Sequence, residues 1–136
     1  AKKPIAQCLI YPALGSDFSL ASYERYALAP MLTTASLYDY LGMWLGTREI
    51  PKQLADMPLA DKDFRHLPKT IIFSAEFDPI VGDAELYCAQ IQAAGGEAHW
   101  HEEKGLTHSY LHGRRHVASA QASFARIQAA LKNLVA

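Results

Sequence analysis

Two residues of this chain stand where side chains do chemistry. Asp78 follows the apolar run 70–76 (TIIFSAE), and His108 follows the alternating run 97–103 (EAHWHEE), within Gly105-Leu106-Thr107-His108-Ser109-Tyr110. In open parallel sheets reactive groups collect just past the carboxyl ends of the strands. Two neighbouring parallel strands would therefore bring this carboxylate and this imidazole to one sheet edge. A carboxylate beside an imidazole holds the ring in one tautomer and stabilises its protonated form. The pair reads as an orienting acid and a general base. Each residue also has a plainer reading, because Asp-Pro after a strand is a common turn and a single loop histidine is commonly just solvated.

The rest of the sequence must supply the elements that position the pair. Residues 5–11 (IAQCLIY), closed by Pro12, suit a short strand buried on both faces. Residues 13–22 read as loop. The aromatic-rich stretch 23–45 is broken at Pro30. Thr33 or Thr34 caps a helix over about 35–45, with Leu37, Tyr40, Leu41 and Trp44 at helical spacing and the aromatics expected in the core. Residues 46–68 carry Pro51, Pro58 and Pro68 and read as a long connection with room for one short helix. Asp83 is expected to cap a helix over 84–94 that turns Leu86, Tyr87 and Ile91 to the core and stops at Gly95-Gly96.

Residues 97–103 read as an edge strand, with Ala98 and Trp100 on one face and His99 and His101 on a wet one. Residues 104–115 read as loop. The stretch 117–135 is an amphipathic helix carrying Val117, Ala120, Phe124, Ile127, Leu131 and Leu134 on one stripe. The order β-α-β-α-β-α predicts an α/β fold with a parallel sheet and right-handed crossovers. It is read as one domain, 1–136, divided into an irregular helical crossover at 13–68 and a βαβα half at 69–136.

Composition narrows the function. The chain has 136 residues, 50% of them apolar and 20% charged, which excludes a disordered chain or a coiled coil. Its 13 Lys+Arg against 14 Asp+Glu leave no basic field for nucleic acid. No stretch approaches the ~20 apolar residues of a membrane span. The two cysteines, Cys8 and Cys88, are too few for a disulfide framework and read as small buried thiols, which fits a reducing compartment and a cytoplasmic location. Glu97, His99, His101 and Glu103 share a strand face and could hold a divalent metal, but a polar outer face is the preferred reading and no metal is expected. Arg114-Arg115-His116 could meet an anion or simply open the last helix. No P-loop or G-x-G-x-x-G occurs, so no nucleotide cofactor is expected. The chain starts without Met, and no signal peptide is read at its N-terminus, so a fragment is expected.

The motif residues carry a further resemblance. Ala75-Glu76-Phe77-Asp78-Pro79-Ile80, then Asp83 and Glu85, then Gly105-Leu106-Thr107-His108 resemble the C-terminal part of α/β-hydrolases of the hormone-sensitive-lipase type, the bacterial carboxylesterase branch. Leu9-Ile10-Tyr11-Pro12 resembles the strand that follows that family's nucleophile helix, and Ser22-Tyr23-Glu24, Leu32-Thr33 and Pro58-Leu59 echo it more loosely. Ser109 and Tyr110 stand where the family has Gly and Phe, and Ile80 where it has Leu. The resemblance implies Asp78 as triad acid, His108 as triad base, a small ester as substrate, and no cofactor.

Chain order in these hydrolases is Ser, Asp, His, yet neither G-x-S-x-G nor HGGG occurs here; Ser16 sits in Leu-Gly-Ser-Asp-Phe, without the second Gly. Alone, the chain is expected to hydrolyse esters negligibly. Strand 5–11 would lack the neighbour it has in the family, so a homo-oligomer or a separate N-terminal half is expected to cover it. In the family the strand matching 97–103 often pairs across a dimer two-fold. The alternative is a non-catalytic hydrolase-like module acting in dimerisation or binding.

Overall fold

Three strands form the centre: β1 (Ala6–Ile10), β2 (Lys69–Phe77) and β3 (Ala98–Thr107). They are parallel and lie in the order β1-β2-β3, with Ile10 opposite Phe73 and Thr70 opposite Ala98. The computed structural model describes residues 4–134. Around the sheet lie α1 (Ala21–Arg25), α2 (Thr34–Leu45), α3 (Val81–Ala93) and α4 (Ala118–Leu134), with short 3-10 turns at Pro58–Ala60 and Tyr110–Gly113.

The near-continuous apolar run of β2 follows from helices on both faces. Ile72 packs with Ala84, Tyr87, Cys88 and Ile91 of α3 and with Ala98 of β3. Its neighbours Ile71 and Phe73 turn the other way, onto Ile127 of α4. Ala75, on that same face, meets Leu106, Tyr110 and Ala120. A fourth cluster, Tyr23, Leu32, Leu37 and Ile80, ties α1 and α2 to the turn that opens α3.

The expected α/β order is present, with local corrections. A short helix, α1, forms in and beyond the stretch expected as loop. For α2, Thr33 is the cap: its hydroxyl accepts from the Ser36 backbone N–H, and the Ser36 hydroxyl accepts from the Thr33 N–H, both at 3.0 Å. Its aromatic stripe is not core. Leu37 and Leu41 are buried, but Tyr40 and Trp44 are exposed. Helix α3 starts at Val81, so Asp83 lies inside its first turn rather than capping it, and Leu86 faces outward. Strand β3 runs to Thr107, beyond the expected end at Glu103.

The histidine face of β3 is exposed at His99 and His101, as expected, but closes at Glu103. His101 stacks on Phe73 at 5.0 Å, and Glu103 is buried against Arg126 of α4. On α4 the buried positions are Ala120, Ser123 and Ile127, whereas Leu131 and, just before the helix, Val117 are exposed. Among the described residues no strand pairs with the outer edge of β1. No helix among them is long and apolar enough to cross a membrane.

Candidate active site

A bulge brings Asp78 and His108 into step. Ala75 pairs with Glu103, but the next pair is Phe77 with Thr107, so β3 spends two more residues than β2 over this interval. Gly105 absorbs the extra length at φ +73°, a left-handed conformation that favours glycine. Its backbone N–H donates to Glu76 Oε2 at 2.8 Å, and Lys104 lies 3.6 Å from the same carboxylate. Glu76 thus pins the bulge. With Phe77 opposite Thr107, the residues that follow leave their strands side by side.

There His108 Nδ1 lies 2.8 Å from Asp78 Oδ2. Asp78 is fully buried, and its other oxygen accepts from the Ile80 N–H at 3.2 Å. A carboxylate can only accept, so Nδ1 carries the proton and Nε2 keeps a lone pair. Nε2 has no hydrogen-bond partner among the described residues, and the side chain is about one-fifth exposed (20%). Beside the ring stands Tyr11, at 4.9 Å between centroids and 62° between planes, with Tyr110 behind it at 5.4 Å and 75°. Ser109 sits at φ +60°, the backbone region that glycine adopts freely, where the resembling family has Gly. The Tyr110 hydroxyl accepts from Ser123 at 2.8 Å; burial pushes this phenol up to about 12.

Five residues on from Asp78, Asp83 has a role that the capping expectation missed. It is fully buried and accepts from the N–H groups of Leu14 (3.2 Å) and Gly15 (2.9 Å) and from the Tyr23 hydroxyl (3.0 Å). One carboxylate therefore ties the loop after β1 and helix α1 to α3. Burial pushes its acid up to about 6, against the pull of those three donors. Burial beside this carboxylate also raises the Tyr23 phenol. The available signal was an acid in a first helical turn flanked by Val81 and Ala84, in a segment too apolar to face water.

Other singled-out residues have ordinary partners. Ser16 is buried, donating toward the carbonyls of Pro51 (2.7 Å) and Lys52 (3.1 Å) and accepting from the Leu54 N–H (3.0 Å). It holds the 51–54 segment and does not face His108. Glu97 pairs with Lys69 at 2.7 Å and Glu103 with Arg126, and no cluster fit for a metal occurs among the described residues. Arg114 lies over the Phe124 ring at 5.5 Å and donates to the Leu111 carbonyl. Cys8 and Cys88 are free thiols, each raised by burial. A shallow, mostly apolar groove lined by Arg25, Tyr26, Leu28, Pro30, Phe77 and Thr107 includes the residues that directly precede Asp78 and His108 in sequence, though neither of the pair lines it.

Comparisons with known proteins show the family of this fold. The family described as alpha/beta hydrolase fold matches residues 1–112. The carboxylesterase NlhH of Mycobacterium tuberculosis (strain H37Rv) is 30% identical, with 94% of this chain and 41% of that protein covered. The crystal structure of DphMB1 superposes with a TM-score of 0.84 at 28% identity, covering 95% of this chain and 43% of that one. An esterase from the hyperthermophilic archaeon Pyrobaculum calidifontis superposes with a TM-score of 0.78 at 26% identity, covering 96% of this chain and 43% of that one. The chain thus spans about two fifths of the length of the curated relatives it matches.

Proposed function

The chain belongs to the alpha/beta hydrolase fold family, and from that premise we propose that it supplies the acid and the base of a Ser-His-Asp carboxylic-ester hydrolysis. The carrying observation is the buried Asp78 carboxylate 2.8 Å from His108 Nδ1, with Nε2 left to act. A serine from polypeptide other than residues 1–136 would attack the ester carbonyl. As its oxygen bonds to that carbon, its proton passes to Nε2, and Asp78 stabilises the imidazolium. When the C–O bond to the alcohol breaks, Nε2 returns the proton to the departing oxygen. Water then repeats the cycle on the acyl-enzyme and releases the acid. Acyl transfer of this kind calls for no metal or cofactor. The groove beside Phe77 and Thr107 suits a small ester with an apolar part.

Residues 1–136 alone hydrolyse esters negligibly in this reading, because Ser16 is committed to the 51–54 segment. The open edge of β1 favours completion by a second copy or by an N-terminal half. That edge equally suits a non-catalytic dimerising or binding module, which reading the upstream coding sequence discriminates. Unpaired Cys8 and Cys88 suit a reducing, cytoplasmic setting.

The test is a fluorophosphonate probe on the protein as its gene encodes it. Labelling should disappear in His108→Ala, and Asp78→Asn should cut turnover by about 10⁴, as loss of the orienting carboxylate does in serine proteases. Undiminished labelling of His108→Ala would refute the assignment. Clear turnover by residues 1–136 that vanishes in His108→Ala would refute their inactivity.

A further inference from the structure

We infer that Tyr11, backed by Tyr110 and Ser123, is a buttress that holds the His108 imidazole against Asp78. The inference rests on the reading of His108 as the base. A single hydrogen bond at Nδ1 fixes one atom of the ring but leaves the ring free to rock about that contact. Tyr11 supplies the second contact, an edge-to-face packing at 4.9 Å and 62°. Tyr110 packs behind Tyr11 at 5.4 Å and 75°, and Ser123 of α4 fixes the Tyr110 hydroxyl at 2.8 Å. The chain of contacts runs from a buried position of α4, through two tyrosines, to the imidazole.

The backbone at Tyr11 points the same way. Its φ is +34°, which a non-glycine residue adopts only against steric resistance, and it precedes Pro12. The residue is locked there by its N–H, which donates to the Phe73 carbonyl at 2.6 Å. Strain of this kind persists where surrounding structure over-determines it, and it gathers at functional sites. The twist carries the phenol off the end of β1 and across the face of β2 to reach His108, which lies after β3. A tyrosine that merely filled core would need no such backbone.

The readout is the Nδ1 proton of His108, observed by NMR in the protein as its gene encodes it, with labelled histidine, and assigned by its loss in His108→Gln. Tyr11→Leu should speed its exchange with water by about 2- to 10-fold, the factor that an aromatic edge-to-face contact is worth. Tyr11→Phe keeps the ring and should leave exchange unchanged. If Tyr11→Leu does not fold, judged by far-UV circular dichroism, the remote end of the relay carries the test. Ser123→Ala strands the buried Tyr110 hydroxyl and should also speed exchange, whereas Ser123→Ala with Tyr110→Phe removes both polar groups and should restore it. A resonance present in the native chain but indifferent to Tyr11→Leu, or to Ser123→Ala, overturns the buttress alone. A native chain lacking the resonance overturns the acid–base reading and the buttress with it.

Discussion

The strand half and the crossover half of this molecule are both rich in large apolar side chains, but they use them differently. In β2, Ile72, Phe73 and Ala75 are sealed between α3 and α4, and the turn that follows buries Asp78 completely. In α2, two leucines are buried while Tyr40, Met43 and Trp44 stand more than half exposed. The acids divide in the same way. Asp78, Asp83 and Glu103 are buried, and each is matched by donors or a cation, whereas Asp39 and Asp63 meet arginines in the open. What separates the halves is whether an element lies opposite. A carboxylate can be buried only where the scaffold supplies rigid donors, so the doubly covered half is where a positioned acid and base can be built.

The contrast is sharpest in stability. Phe73→Ala should cost about 3–5 kcal/mol, whereas Trp44→Ala should fall within about 0.5 kcal/mol, both read by urea unfolding. Equal losses would erase the distinction. Asp83→Ala comes next, at about 2–4 kcal/mol, because it strands two backbone N–H groups and the Tyr23 hydroxyl. Asp83→Asn keeps an acceptor for those N–H groups and should cost less. Asp61→Ala, on the exposed side, should change little.

A finer comparison uses pH. The folded-state acid of Asp83 titrates at about 6, above its ordinary value of about 3.9. Below both values the group is neutral in the folded and the unfolded chain. Above both it is ionised in each, and burial penalises the folded one. Its contribution to stability should therefore fall as pH rises from about 4 through about 6. The stability difference between native chain and Asp83→Asn should track that window, and a pH-independent difference would assign Asp83 an ordinary titration. The smallest effect expected in the strand half is Gly105→Ala, about 1 kcal/mol from the left-handed backbone of the bulge, with no side-chain clash.

Much of this was legible beforehand. Strands within 5–11 and 70–76, a threonine cap at 33 or 34, the Gly95-Gly96 stop and the placement of Asp78 and His108 after their strands all follow from local chemistry, although β1, expected to be buried on both faces, is only half-buried. The misreadings share a cause. Asp83 has the residue type and spacing of a cap, but α3 begins two residues earlier and its carboxylate is claimed by Leu14, Gly15 and Tyr23, which are distant in sequence. Glu103 alternates like an outward residue on the face where His99 and His101 are exposed, but α4 returns over that end and buries it against Arg126. Alternation stops at Glu103, where the sequence predicts the end of β3. The strand continues because Glu76, on the neighbouring strand, holds the bulge at Gly105.

Sequence by itself determined the α/β order and the two residues able to act as acid and base, since strand periodicity, capping and turn chemistry act over a few neighbouring residues. Tertiary structure alone decided that the acid and base meet at 2.8 Å, that Glu76 sets the register delivering them, and that Tyr11 packs against the imidazole. Those contacts join residues from 29 to nearly a hundred positions apart. They depend on which strands lie side by side and in what register, and no short window of sequence carries that information.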